Sequence, residues 1–217
     1  TTVATNNFTN TQGNYTAPAT LNVNGTYTLT AGNFTAGTNM SVVGTYTLTA
    51  GTFTAGANLT LTGSWSHATA ATFNHNNGIV TFIGGNAQTI GGTKTSETYY
   101  DVVVNKTSGT TLSRTGSIAT ITARNFTQTQ GDFTATGATL TLSGNYTLSA
   151  GTFTPGTTFN LGGDWTHQSG ATFTVGTGTT TFNGTGTQTI AGTFGSETFY
   201  NFTVNKENLP DNFFLKP

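Results

Sequence analysis

The chain has 217 residues, only 6% of them charged, and a net charge of −1. Six scattered Lys and Arg cannot displace the counterions of a nucleic acid or hold the chain on an anionic membrane. The absence of cysteine excludes a disulfide framework and thiolate metal sites, and no apolar run approaches membrane-spanning length.

Thr, Phe, Tyr and 29 glycines favour short strands joined by tight turns, and no stretch reads as an amphipathic helix. The chain enters directly in repeat pattern at Thr1, and the expectation is that any leader has already been removed or that the chain is a piece of a longer polypeptide. From Phe8 onward one unit recurs. Phe8, Tyr27, Tyr46 and Trp65 are nineteen residues apart; Tyr15, Phe34 and Phe53 keep the same step, with Phe73 one residue later. A third ladder is formed by Leu21/Val23, Met40/Val42, Leu59/Leu61 and Val80/Phe82. Within each unit apolar residues alternate with Thr, which points apolar side chains one way and Thr the other.

Three such strands with glycine turns between them make one triangular coil, and stacking coils about 4.8 Å apart places like residue on like. The expected fold is therefore all-β, a right-handed parallel β-helix of 19–21 residues per coil and roughly ten coils, one continuous solenoid over residues 1–206. An antiparallel β-sandwich also uses short strands, but does not require the same residue type every nineteen positions.

The next segment contains His67, His75 and the motif SETYYDVVVNK at 96–106. His67 follows Trp65, as His167 follows Trp165, and the repetition reads as structure; His75 lies in the turn-like NHNNG. Glu97, Lys106, Glu197 and Lys206 are expected to be exposed loop charges or a weak surface ion pair. Residues 46–106 align without a gap on 146–206, with about half the positions identical, which divides the solenoid into modules 1–106 and 107–206. The Asn-x-Thr triplets, such as those at Asn7, Asn125 and Asn201, arise by chance in so Asn- and Thr-rich a chain.

The run GDWTHQSGATFTVGTGTTTFNGTGTQTI with FYNFTVNK resembles the Thr/Gly-rich repeats of large secreted bacterial surface proteins and adhesin-like β-solenoids. The resemblance covers the chain to about Lys206 and implies a stalk, adhesin or matrix component, located outside the cell or at its surface. Carbohydrate-active β-helices are also a known use of the fold, but need clustered acids or paired carboxylates. Glu97 and Glu197, equivalent positions in different modules, are expected about five coils apart, too far to cooperate. No catalytic residue, cofactor or metal site is expected.

Two features suggest function. Thr9/Thr11, Thr28/Thr30, Thr47/Thr49 and Thr127/Thr129 are expected to form a Thr-x-Thr ladder on one face, an arrangement resembling the ice-binding faces of solenoid antifreeze proteins. The tail 207–217, ENLPDNFFLKP, breaks the pattern. Its Leu209, Phe213, Phe214 and Leu215 are expected either to plug the last coil or to dock on the first coil of a second copy. The expectation is thus a non-catalytic extracellular structural protein that assembles head to tail, with itself and surface glycans or matrix as partners, and ice binding as the alternative.

Overall fold

A computed structural model describes residues 1–206 and 213–215. Every strand pairing among them is parallel, and no helix occurs. The strands stack into three faces. The first face is an eleven-stranded sheet running from Thr2–Thr5 to Phe213–Leu215, and the second has nine strands, from Phe8–Asn10 to Ala171–Phe173. The third face is divided into a four-stranded sheet (Asn14–Thr16 to Ala71–Asn74) and a six-stranded one (Ser96–Thr98 to Asn201–Val204). The sandwich is excluded, because like positions pair along the axis: Phe8 with Tyr27, Tyr27 with Tyr46, and Tyr46 with Trp65.

The interior is filled by these ladders. Tyr27 stacks on Tyr46 at 5.0 Å and 12°, and Phe34 on Phe53 at 5.2 Å and 8°. Phe53 meets Tyr46 edge-on at 5.3 Å, so rings from adjacent faces interlock. Such pairs contribute about 0.5–1.5 kcal/mol each beyond the area they bury. Outward Thr residues make the surface, and the corners hold the tight turns. At one corner Gly51 has φ +85°, and an added Cβ would lie 2.2 Å from the carbonyl oxygen of Gly32 in the coil below. Glycine is required there by both conformation and contact.

Coil length varies more than the 19–21 residues expected. Thr2 pairs with Thr20, eighteen residues on, whereas Trp165 pairs with Ile190, twenty-five on. The additions lie in the corner loops, and the longest coils coincide with a break in a ladder: no strand pairs Ala71–Asn74 with Ser96–Thr98.

The two modules are not in rotational register. Unit 101–119 supplies two strands, Asp101–Lys106 and Thr111–Arg114, where the earlier units supply three. Every later ladder is therefore displaced by one face. Tyr46–Leu48 lies on the second face, but its equivalent Tyr146–Leu148 lies on the first, fourteen strands and so four and two-thirds turns later.

Candidate functional site

That displacement corrects the expected threonine ladder. Thr9, Thr28 and Thr47 are register partners on the second face, continued by Ser66. Thr127 pairs with Val103 and Thr147 on the first face, so Thr127 and Thr129 do not extend the ladder. Thr30 lies just past its strand and donates to Asn10 O at 3.2 Å; Thr11 and Thr49 also lie outside strands. The array is three rungs of one threonine each, with no second in-strand column.

The SET motif is also corrected. Glu97 is 1% exposed and its carboxylate lies 3.0 Å from Nδ1 of buried His67 through both oxygens. Glu197 meets His167 Nδ1 at 2.8 Å. Lys106, 1% exposed, donates to Gln88 Oε1 at 2.6 Å and Asn86 O at 2.7 Å. These are not surface charges. Strand alternation carried the signal: Lys106 has the parity of inward Val102 and Val104, and Glu97 that of inward Tyr99.

The proton count of the His–Glu pair follows from its partners. His67 Nε2 lies 3.1 Å from Ala71 O, and a carbonyl only accepts, so Nε2 carries a proton. One further proton must then lie between Nδ1 and the carboxylate, as imidazolium–carboxylate or as imidazole–carboxylic acid. His167 repeats the geometry, with Nε2 3.1 Å from Ala171 O.

Both pairs sit where a ladder is interrupted. Ala71–Asn74 ends the four-stranded sheet and Ser96–Thr98 begins the next, without pairing between them. In the second module Ala171–Phe173 is likewise the last strand of its sheet. The two sites differ in cover. In the first, Lys94 donates to Ala71 O at 3.2 Å and borders a hollow of about 190 Å³ lined by Thr72, Phe73, Ser96 and Thr98. In the second, Phe194 replaces Lys94 and stacks on the His167 ring at 5.5 Å and 12°. Trp165 Nε1 donates to Glu197 at 2.7 Å, whereas buried Trp65 Nε1 has no hydrogen-bond partner among the described residues.

Chemically, the first hollow presents one carboxylate, Glu97, already engaged by His67. It lacks the paired carboxylates of glycoside hydrolysis. Among the described residues no three His, Asp or Glu gather as metal ligands. His75 stacks on Tyr100 at 5.7 Å, and Arg124 covers Tyr100 at 4.0 Å.

The ends of the rod carry the remaining predicted residues. Phe213–Leu215, with Phe214 half-exposed, pairs with Gln188–Ile190 of its own chain and so continues the first face. Leu209 lies outside the described residues. No family model, curated protein or solved structure matches the chain.

Proposed function

We propose that the chain is a non-catalytic, extracellular structural element: a rod that joins head to tail as a filament subunit, or stands as a surface stalk or adhesin. The observation that carries this reading is the contrast between middle and ends. Apart from Val43, the large apolar side chains of the middle coils are buried in the ladders, but Val3 is 42% exposed at one end, and Tyr200 and Val204 are 62% and 42% exposed at the other. Open strand edges beside apolar side chains are a ready surface for another chain. The His–Glu and Lys–Gln contacts fit the same reading, since their polar atoms bond to neighbouring coils. Low charge and threonine-covered faces suit a surface or matrix role, with glycans as further partners.

Negative-stain microscopy of the purified protein tests this. Fibres about as wide as one coil are expected, and deletion of residues 207–217 should abolish them while leaving the β-rich circular dichroism intact. Dispersed particles at every concentration would refute assembly. Ice binding is the alternative, favoured by the register of Thr9, Thr28 and Thr47; thermal hysteresis on the same sample decides it.

A further inference from the structure

Resting on the head-to-tail reading, we infer that the joint between two copies has the register of this chain's own internal joint: Asn7–Asn10 of one copy lies along Asn201–Val204 of the other. Residues 2–16 match 120–134, with eight of fifteen positions identical. The match extends to conformation: Gly13 and Gly131 both have φ +80°. It extends to bonding as well. Asn7 Oδ1 accepts from the Thr26 N–H at 2.8 Å, as Asn125 Oδ1 accepts from the Asn145 N–H at 2.9 Å. Residues 2–16 are therefore a second copy of the segment that follows the first SET motif.

The interior shows what that segment does. Asn125, Phe126, Thr127 and Gln128 pair with Asp101, Val102, Val103 and Val104. Ser96, Glu97 and Thr98 likewise pair with Thr120, Ile121 and Thr122. Buried there are Val102 (1%), Val104 (0%), Ile121 (0%) and Phe126 (0%). The second SET motif places Asn201–Val204 at the end of its sheet, and the equivalents of those buried residues are exposed or half-exposed: Phe202, Val204, Val3 and Phe8. Carrying the internal register across sets Asn201 against Asn7, Thr203 against Thr9 and Glu197 against Val3 of a second copy.

The tail fits between. Phe213 takes the register position over Gln188 that Leu112 takes over Gln88. Leu112 in turn pairs with Phe133, the equivalent of Tyr15. Phe213–Leu215 thus completes its own coil and offers the edge on which Asn14–Thr16 of the next copy lies. The two roles expected of the tail become one. Each copy meets the next through different surfaces, a heterologous contact that runs on along the rod axis without closing.

The chain has no cysteine, so a disulfide reads the register directly. Thr9 and Thr203 are exposed and belong to opposite ends of one chain. In the proposed joint their Cα atoms are about 4.8 Å apart, within disulfide range. Mild oxidation of the Thr9→Cys/Thr203→Cys variant should give a ladder of covalent oligomers. Thr28→Cys/Thr203→Cys, one coil out of register, should give none. Asn6→Arg/Asn201→Asp recreates the Arg124–Asp101 ion pair, in which Nε donates to Oδ1 at 2.9 Å, and should lower the concentration needed for assembly several-fold at low salt. Fibres that form without cross-linking, or that cross-link equally in both cysteine variants, would overturn the register while leaving the filament. Light scattering that stays at the monomer value for the unmodified chain and for Asn6→Arg/Asn201→Asp would overturn both.

Discussion

His67 Nδ1 stands 3.0 Å from both carboxylate oxygens of Glu97, thirty residues later in the chain, and the two side chains are 3% and 1% exposed. This contact ties one coil to the next where the third-face ladder is broken. Side-chain bonding here replaces missing backbone bonding. Glu97→Ala should lower the unfolding free energy by about 3 kcal/mol, since it strands a buried imidazole. Glu97→Gln should cost no more than about 1 kcal/mol, because its amide donates to neutral Nδ1 while Nε2 keeps Ala71 O. Urea unfolding at pH 7 separates the two; equal losses would refute the proton assignment.

The buried tyrosines divide by partner. Tyr146 Oη donates to Gln128 Oε1 at 2.9 Å, whereas the hydroxyls of Tyr27, Tyr46 and Tyr99 have no hydrogen-bond partner among the described residues. Tyr46→Phe should therefore hold or raise the melting temperature. Tyr146→Phe should lose about 1 kcal/mol by leaving Gln128 short of a donor. Calorimetry of the pair checks the contrast.

Alkaline pH should unfold the rod steeply. Burial raises the phenols of Tyr27, Tyr46, Tyr99 and Tyr146, and at Tyr46 the nearby Tyr27 and Glu97 add to it. An unfolded tyrosine loses its proton near pH 10 while the folded one keeps it, so this stability is intact below pH 10 and falls above it. Each tyrosine takes away about 1.4 kcal/mol per pH unit. Lys106 acts in the opposite sense. Burial holds its ammonium below the ordinary 10.5, so between the lowered value and 10.5 the unfolded chain binds more protons and stability rises with pH. A circular-dichroism titration should show a shallow rise toward pH 10 and then collapse. Lys106→Met should remove the rise alone.

Gly13 and Gly51 share a backbone conformation, with φ +80° and +85°, but not a neighbourhood. A Cβ on Gly13 meets nothing within 4 Å; one on Gly51 would be 2.2 Å from Gly32 O. Gly13→Ala should cost about 1 kcal/mol of backbone strain. Gly51→Ala should cost clearly more, because stacked backbones must separate as well. Matching melting temperatures for the two variants would refute the crowding argument.

Much of the fold was legible because a solenoid's contacts repeat with its sequence. Tyr27 over Tyr46, Phe34 over Phe53 and Leu59 over Met40 follow from a nineteen-residue step and strand alternation. The candidate site was less legible. Ser96, Glu97 and Thr98 are all polar, so no apolar alternation marks Glu97 as inward; its parity with Tyr99 is the only local signal.

The sequence by itself determined the parallel stacking, the aromatic core and the threonine surface, since each depends on a residue and its counterpart one coil away. Only the tertiary structure decided the rotation between modules, and with it which threonines share a face. That rotation accumulates from the number of strands in every unit. The two-stranded unit at 101–119 moves Thr127 to another face while leaving its local pattern unchanged. The burial of Glu97 and Lys106 was decided in the same way: their partners, His67 and Gln88, are brought to them by the winding of the backbone.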